Sequence, residues 1–336
     1  IILDKQIILS QILRYLYKFN YKKLIILNFT NFKNYKIFKN FDFKIIEYKF
    51  NNKTFEFEIL QKEKILRNLD KNFLILKSSK FSNINLYDLF EIFKKNKKKL
   101  TITYKKKNKS IINIEYYFLS KKFLKLYDFS FFNLKNKKKY IFNFSNEEIL
   151  DVGKENLNSL KIKDFFLRLY SKLIILDRDG VINIDKGYVG FKKDFSFQNG
   201  AIKTIKLLNK NGYNIFVVSN QSGIARGYFT NKDVKNLHIY LRDVLSNHDC
   251  YINKIYYSPY HKDGIIKKYS KKTNCRKPGI KLFKTIEKEW KIKISKDTYM
   301  IGDQITDIQF AKNAEIQSAL FKKGNLFSFV KNLNLK

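Results

Sequence analysis

Leu173-Ile-Ile-Leu-Asp-Arg-Asp-Gly180 is the stretch that decides the fold of the second half of this chain. Four consecutive apolar residues, β-branched in the middle, predict a buried parallel strand. Asp177 and Asp179 follow that strand directly, and ligands of open α/β sheets bind beyond the carboxyl ends of the strands. A plain strand followed by an Asp/Gly turn is the alternative that this stretch leaves open.

Two later segments favour a site over a plain turn. Tyr213-Asn-Ile-Phe-Val-Val218 predicts the next parallel strand, which ends in Ser219 and Asn220. Thr298-Tyr-Met-Ile301 predicts another, followed by Asp303 and, one turn into a helix, Asp307. Polar groups from several strand ends are therefore expected at one rim.

The elements between these strands are also predictable. Apolar spacing indicates a helix from about Ala201 to Lys210, with Gly212 suited to its C-terminal end. Thr230 and Asp233 form a capping pattern for the next helix. Lys254-Ile-Tyr-Tyr-Ser258 predicts a further strand, and the apolar residues of 282–290 predict a helix.

Glycine and proline usage divides the chain into two halves. Gly153 is the one glycine before residue 172, whereas the remaining glycines and both prolines follow it. This shift predicts domains at 1–168 and 169–336, each large enough to bury a core. In the first half, strands are predicted at 23–27, 73–76 and 100–104 and helices near 8–16 and 86–93, which makes it α/β as well.

The composition limits the classes of partner. The formal charge is +38, but nearly all of it is lysine, accompanied by other residues with A/T-rich codons, which indicates mutational bias. Arginine, the better fork for phosphate, is scarce, so small anionic substrates are favoured over nucleic acid. No apolar run reaches the length of a membrane span and the start does not resemble a signal peptide, so a cytoplasmic protein is expected. Cys250 and Cys275 are too few for a disulfide framework.

The residue types at the predicted rim suit the transfer of a phosphoryl group. One carboxylate can act as the nucleophile, and a second, two residues on, can protonate the leaving alkoxide and then activate water. A hydroxyl and a lysine can hold the phosphoryl oxygens. Further carboxylates can hold Mg²⁺.

The ordered motifs of 172–325 resemble those of the haloacid dehalogenase (HAD) phosphohydrolases. The resemblance is closest to the branch of heptose 1,7-bisphosphate 7-phosphatases and histidinol-phosphate phosphatases. It implies a Rossmann-like parallel sheet flanked by helices and a Mg²⁺-dependent phosphatase acting on a small phosphorylated sugar. The motifs that carry it are Asp177-Arg-Asp-Gly-Val-Ile-Asn183, Gly187-Tyr-Val189, Val217-Val-Ser-Asn-Gln-Ser-Gly-Ile-Ala-Arg-Gly227 and Cys275-Arg-Lys-Pro278.

The same resemblance implies roles for individual residues. Asp177 corresponds to the nucleophile and Asp179 to the general acid/base. Arg276 corresponds to the group that binds the second phosphate of a bisphosphate, and Asp307 either joins the metal site, orients Lys277 or caps its helix. The implied phosphate and substrate contacts are Ser219, Asn220, Lys277, Gly187 and Tyr188, and the implied metal ligands are Asp177, Asp179, Asp303 and Asp307.

The long loop after Ser258 departs from the heptose branch, which carries a structural zinc there. Of the family's Cys and His ligands only Cys275 stands at a matching position, with His261 adjacent to another, so no zinc site is expected. Loss of that metal predicts a more mobile loop and leaves the substrate open. His238 and His248 are interpreted as ordinary surface or boundary residues.

The first half resembles, more loosely, the sugar-1-phosphate nucleotidyltransferases. Leu3-Asp-Lys-Gln-Ile-Ile-Leu-Ser-Gln-Ile-Leu13 and Asp151-Val-Gly-Lys-Glu-Asn-Leu157 are similar to two of their segments. Their glycine-rich nucleotide loop and the metal-binding Asp expected near Lys77 are absent. The resemblance therefore implies a truncated or degenerate nucleotidyltransferase-like domain without transfer activity.

Alternatives of two kinds stay open at this point. The phosphatase could act on histidinol phosphate or another small phosphomonoester. A polynucleotide 3′-phosphatase, or a non-catalytic protein that binds nucleic acid, would use the basic charge. The sequence leaves the oligomeric state open.

Overall fold

The computed structural model of the chain comprises two compact units. The first unit is Ile1–Tyr15 with Tyr21–Phe166, and the second is Leu16–Asn20 with Leu167–Lys336. The predicted division between 168 and 169 stays a prediction. The structure describes residues 16–19, 23–28, 44–49, 63–69, 72–76, 80–82, 100–107, 110–120, 141–143, 149–151, 172–290, 292, 294–333 and 335.

Paired strands make up most of the described part of the first unit. β1 and β2 are parallel, β4 and β8 are antiparallel, and four strands form a sheet of order β3-β6-β5-β7. The elements are β1 (Lys23–Asn28), β2 (Lys44–Lys49), α1 (Glu63–Asn68), β3 (Asn72–Leu76), β4 (Lys80–Ser82), β5 (Leu100–Lys107), β6 (Ser110–Ser120), β7 (Ile141–Asn143) and β8 (Ile149–Asp151).

Some of the elements predicted for this unit lie within the described residues. The strands predicted at 23–27, 73–76 and 100–104 lie within β1, β3 and β5. The helix predicted at 86–93 and most of the helical stripe at 8–16 lie outside the described residues.

The second unit is built on a five-stranded sheet of order β11-β10-β9-β12-β13, in which every neighbouring pair is parallel. β9, which comes from the opening stretch, is the central strand. The α/β class predicted for this half is confirmed. The elements are β9 (Leu173–Leu176), a short 3-10 helix (Lys192–Asp194), α2 (Ala201–Lys210), β10 (Asn214–Asn220), α3 (Asn231–Asn247), β11 (Lys254–Ser258), α4 (Lys281–Trp290), β12 (Tyr299–Gly302), α5 (Ile305–Asn313), β13 (Gln317–Leu320) and α6 (Leu326–Asn332).

The unbroken apolar run of β9 reflects burial on both faces of the sheet. Side chains alternate along a strand, so Ile174 and Leu176 join a cluster containing residues of α2, α3 and α6. Leu173 and Ile175 point the other way and join residues of α4 and α5. Helices therefore cover both sides, and only the strand ends remain available for polar chemistry.

Helix ends agree closely with the sequence patterns. α2 spans the predicted residues, and Gly212 follows its end with φ +81°, a conformation that glycine adopts readily. α3 begins with a capping box: the Thr230 side chain accepts from the Asp233 amide, and the Asp233 carboxylate accepts from the Thr230 amide. The Asp233 carboxylate also accepts from the Thr230 hydroxyl, and this hydrogen bond, together with the one from the Thr230 amide, lowers the pKa of Asp233.

None of the helices among the described residues combines the length and apolar character needed to cross a bilayer.

Replacing Trp290 should cost the second unit a large part of its stability. The indole is 1% exposed, contacts the Phe216 ring with centroids 4.9 Å apart, and donates from Nε1 to the Tyr256 hydroxyl at 2.9 Å. Trp290→Ala should lower the free energy of unfolding by about 3–5 kcal/mol, measured by urea denaturation followed by circular dichroism. Lys288→Ala, at an exposed position of the same helix, should stay within about 0.5 kcal/mol of wild type. A loss below 1 kcal/mol for Trp290→Ala would contradict the packing described.

Candidate active site

The ends of three parallel strands bring the predicted polar residues to one edge of the sheet. Asp177 follows β9, and its amide donates to the carbonyl of Ile301 on β12 at 2.8 Å. Ser219 and Asn220 end β10, and Asp303 follows β12. Because these strands are parallel, their carboxyl ends lie at one edge of the sheet, as the sequence predicts.

A buried lysine lies between two carboxylates at this edge. Lys277 Nζ is 2.9 Å from Asp177 Oδ1 and 2.6 Å from Asp307 Oδ1. Lys277 is 2% exposed and Asp307 is fully buried. A buried charge is tolerated when it is paired, and here one ammonium is shared by two carboxylates.

Asp307 is held by its own helix as well as by Lys277. Its Oδ2 accepts from the Gln304 amide at 3.0 Å, as part of a capping box at the start of α5. Gly302 permits this approach, because a Cβ there would lie 2.1 Å from Asp307 Oδ2. Of the three roles considered for Asp307, orienting Lys277 and capping the helix are both present in the structure.

The Asn220 side chain forms hydrogen bonds with both backbone groups of Lys277, its amide and its carbonyl. Its Oδ1 accepts from the Lys277 amide at 2.9 Å, and its Nδ2 donates to the Lys277 carbonyl at 3.2 Å. The Asn220 side chain is therefore engaged in positioning Lys277. The predicted contact of Asn220 with a phosphoryl group stays a prediction.

Carboxylates outnumber ammonium groups here, and the pKa values reflect this. Burial raises the pKa of Asp177 to about 7; Lys277 opposes the rise, and Asp307 and Asp179 add to it. Burial also raises the pKa of Asp303. For Lys277, burial acts to lower the pKa, but Asp177 and Asp307 outweigh it and the net shift is upward. The lysine therefore stays protonated beside an excess of negative charge.

The carboxylates also suit a divalent cation. Asp177, Asp303 and Asp307 each offer an oxygen atom, and these three atoms lie within 4.8 Å of one another. Asp303 Oδ1 is buried without a hydrogen-bond partner, whereas both oxygens of Asp307 have one of the contacts described above. Mg²⁺ prefers carboxylate oxygens and retains several waters, so Asp177 and Asp303 fit such an ion better than Asp307. Gly180 leaves room for Asp303, since a Cβ there would lie 2.3 Å from Asp303 Oδ2.

Asp179 has a different set of neighbours from Asp177. Its Oδ1 accepts from Arg178 Nη2 at 2.8 Å and Asn183 Nδ2 at 2.9 Å. Its Oδ2 accepts from Gln221 Nε2 at 2.7 Å, and that amide nitrogen also lies 2.8 Å from Ser219 Oγ. Asp179 and the predicted phosphate contact Ser219 are thus joined through Gln221.

Sequence reasoning missed several of these partners. Arg178, Asn183 and Gln221 lie inside the quoted motifs but were given no role. The interpretation of His238 as a surface or boundary residue is wrong: it is 7% exposed and its Nε2 lies 3.2 Å from Arg178 Nη1. The sequence does contain one signal of this burial, because position 238 lies among the apolar positions of α3.

Two arginines form a cationic region on the loop side of the site. Burial lowers the pKa of Arg276, and the nearby positive charge of Arg226 lowers it further. Arg276 Nη1 and Arg226 Nε are buried without a hydrogen-bond partner. Arg226 Nη2 lies 3.5 Å from His261 Nε2. Within the described part of the chain no carboxylate forms an ion pair with either guanidinium.

The predicted substrate contacts Gly187 and Tyr188 lie in the exposed segment after Asn183. Gly187 has φ +90°, and its amide donates to Asp185 Oδ1 at 2.8 Å. Tyr188 is 45% exposed and meets Tyr228 edge to face, with ring centroids 4.7 Å apart. Tyr188 is also close enough to Arg276 to affect its pKa, which connects this segment to the cationic region.

Aromatic contacts occur in the loop where the heptose branch carries zinc. Tyr260 and Tyr269 have ring centroids 5.9 Å apart, and Lys271 Nζ lies 4.8 Å from the centre of the Tyr260 ring. The Cys275 amide donates to Thr273 Oγ1 at 3.2 Å. Greater mobility of this loop stays a prediction.

Comparison with known proteins shows what the second half of the chain is similar to. Residues 274–326 match the HAD-hydrolase-like family. A D-glycero-β-D-manno-heptose-1,7-bisphosphate 7-phosphatase of Rhodopseudomonas palustris is 35% identical over 158 residues, 47% of this chain and 87% of the relative. The same-named protein of Escherichia coli O6:H1 is 38% identical over 143 residues, 43% of this chain and 75% of the relative. A D,D-heptose 1,7-bisphosphate phosphatase structure from B. bronchiseptica, complexed with magnesium and phosphate, is 26% identical and covers 49% of this chain and 88% of that chain, with a TM-score of 0.41.

The family match and these relatives show an enzyme of the HAD-like hydrolase class. More closely, the chain belongs to the family of HAD-like phosphatases that includes the heptose-bisphosphate 7-phosphatases. The similarity lies in the second half, and the resemblance of the first half to nucleotidyltransferases is not supported.

Neutralising Asp177 should stabilise the metal-free protein at alkaline pH. A carboxyl whose pKa rises to about 7 on folding binds its proton more tightly in the folded state, so wild type loses stability as pH rises from about 4 to 7. Asp177→Asn does not titrate. Its unfolding free energy should match wild type near pH 4 and exceed it above pH 7, in urea denaturation with EDTA.

Asp263→Asn, at an exposed position, is the matched control and should show no such pH-dependent difference. If Asp177→Asn were less stable than wild type throughout this range, the pairing with Lys277 would outweigh burial, contrary to the direction of the pKa shift.

Proposed function

We propose that this chain hydrolyses a phosphate monoester through an aspartyl-phosphate formed on Asp177. The observation that carries the proposal is the buried Asp177 carboxylate at the end of the central strand, 2.9 Å from the ammonium of Lys277. A carboxylate can attack a phosphoryl group when positive charge offsets the repulsion between the two anions. Family membership supports the same chemistry.

The first step forms the bond between Asp177 and phosphorus and breaks the bond between phosphorus and the leaving oxygen. Asp177 Oδ1 accepts from the Arg178 amide at 2.7 Å and is paired with Lys277, so we assign the attack to Oδ2. Asp179, protonated, gives its proton to the leaving alkoxide. In this proposal Lys277 and the Ser219 hydroxyl bind the phosphoryl oxygens.

The second step restores the enzyme. Asp179, now a carboxylate, accepts a proton from a water molecule, and that water attacks phosphorus. The bond between phosphorus and Asp177 breaks, inorganic phosphate leaves, and both aspartates return to their starting forms.

Mg²⁺ is the cofactor we propose. Asp177 and Asp303 would hold it, and Asp179 is the further ligand that the resemblance implies. When bound, it supplies positive charge that offsets repulsion between the carboxylates and the substrate phosphate. The role of Asp307 is to orient Lys277.

The substrate we propose is D-glycero-D-manno-heptose 1,7-bisphosphate, with removal of the 7-phosphate. Arg226 and Arg276 support a second anionic group, because both have buried N–H groups without partners. A guanidinium binds phosphate well through two parallel hydrogen bonds. The small phosphorylated sugar would thus contact Lys277 with one phosphate and the arginines with the other.

A phosphate-release panel tests this function. Wild type with Mg²⁺ should release phosphate from heptose 1,7-bisphosphate with a higher kcat/KM than from histidinol phosphate or a 3′-phosphorylated oligonucleotide. Asp177→Asn should lower kcat by more than about 10⁴-fold while keeping the circular dichroism spectrum of wild type. Retained turnover in Asp177→Asn would exclude the nucleophile assignment. A higher kcat/KM for the oligonucleotide or for histidinol phosphate would show that the preferred compound, and not heptose 1,7-bisphosphate, is the substrate.

Removing either arginine should weaken the binding of a bisphosphate selectively. Arg276→Ala and Arg226→Ala should each raise KM for heptose 1,7-bisphosphate by about 10–100-fold, the effect of losing a charged hydrogen bond. KM for heptose 7-phosphate should change less than about threefold, since that substrate lacks the second phosphate. Lys267 is exposed and lies in the loop that carries Arg276, so Lys267→Ala is the control for a general loss of positive charge. Equal effects on both substrates would contradict a second-phosphate role.

A further inference from the structure

Arg178 lies between the two aspartates in sequence, and its side chain is fully buried. Its Nη2 is 2.8 Å and 2.9 Å from the two oxygens of Asp179, and its Nε is 3.2 Å from Oδ1. Nη2 also donates to the Val189 carbonyl, and Nη1 lies 3.2 Å from His238 Nε2. The guanidinium therefore binds the next residue along the chain and two groups from separate segments.

His238 supplies a hydrogen-bond acceptor from α3. A guanidinium has donors only, so His238 Nε2 must accept, and the imidazole is neutral with its proton on Nδ1. Burial and the charge of Arg178 both lower the pKa of His238, which agrees with a neutral ring. The ring packs against Tyr257 with centroids 5.2 Å apart, so the acceptor has a fixed position.

The arrangement is not explained by the needs of the fold alone. A buried ion pair costs desolvation free energy, and apolar residues of similar volume often stabilise a core as well or better. A pair between neighbouring residues also joins no distant parts of the chain. The contacts that do join distant parts, from Val189 and His238, all act on the guanidinium that binds Asp179.

We propose that Arg178, oriented by His238, is a positioning residue that sets the orientation of the Asp179 carboxylate for proton transfer. The inference rests on the acid/base role given to Asp179 under the proposed function. Arg178 binds both oxygens of that carboxylate and so fixes its plane, while Gln221 and Asn183 each bind one oxygen. Loss of the His238 acceptor frees the guanidinium to rotate, and the carboxylate turns with it.

The dependence on the leaving group provides the test. An alkoxide needs a proton as it leaves, whereas p-nitrophenolate leaves well without one, so a defect in proton donation slows an alkyl phosphate selectively. His238→Leu removes the acceptor, and His238→Gln can present an oxygen near the position of Nε2. With Mg²⁺-loaded enzyme in excess over substrate, the rate of the first step is measured as the release of the leaving group from heptose 1,7-bisphosphate and from p-nitrophenyl phosphate, because the second step also uses Asp179 and is common to both substrates.

His238→Leu should lower the first-step rate on the sugar phosphate by about 10–100-fold, the effect of a misplaced catalytic group. Its first-step rate on p-nitrophenyl phosphate should stay within about threefold of wild type, and His238→Gln should recover most of the loss. Equal slowing of both substrates by His238→Leu, or no slowing, would overturn the proposal. If His238→Leu does not fold, Arg178→Lys decides by the same comparison, because a single ammonium cannot reach all three partners, Asp179, Val189 and His238.

Asp179→Asn separates this inference from the function on which it rests. In the same measurement of the first step it should show the same selectivity for leaving groups, more strongly than His238→Leu. If Asp179→Asn slows the first step of both substrates equally, the assignment of Asp179 as the acid is wrong. If Asp179→Asn is selective and the His238 and Arg178 variants are not, only the positioning role fails.

Discussion

The shared ammonium of Lys277 is the interaction on which the active site depends. A buried charge requires partners, and here they come from different parts of the chain: Asp177 after the central strand and Asp307 in the first turn of α5. Asn220, at the end of β10, binds the backbone of the same lysine. The parallel sheet makes this convergence possible, because it delivers its strand ends to one edge. The capping box of α5 then gives Asp307 its fixed orientation.

The site has two regions of opposite charge. Carboxylates exceed ammonium groups at the strand ends, and burial raises the pKa of Asp177 and Asp303 there. On the loop side, burial and the nearby charge of Arg226 lower the pKa of Arg276, and neither guanidinium has a carboxylate partner among the residues described. Under the proposed function this polarity orients a bisphosphate: a cation at the carboxylates receives the reacting phosphate, and the arginines receive the other.

Asp177 and Asp179 stand two positions apart and yet have different surroundings. Asp177 contacts Lys277, whereas Asp179 lies among Arg178, Asn183 and Gln221. In a low-dielectric interior, a network of this kind is costly unless its members are satisfied, and most of its polar atoms have partners. Under the proposed function, these different neighbours let two identical side chains take different chemical roles, one as nucleophile and the other as acid and base.

Local patterns in the sequence determined much of the second unit: the buried run of β9, the span of α2, the capping box at Thr230 and the placement of Asp177 and Asp303 after strands. These features depend on periodicity and on near neighbours, which a sequence displays directly. Only the tertiary structure decided that His238 is buried against Arg178, that Asp307 binds Lys277 and that Asn220 binds the Lys277 backbone. Each of those contacts joins residues from different elements, so its geometry depends on how helices pack on the sheet. The opening stretch thus predicted a strand with two acids at its end, and the packing around it determined which partners each acid has.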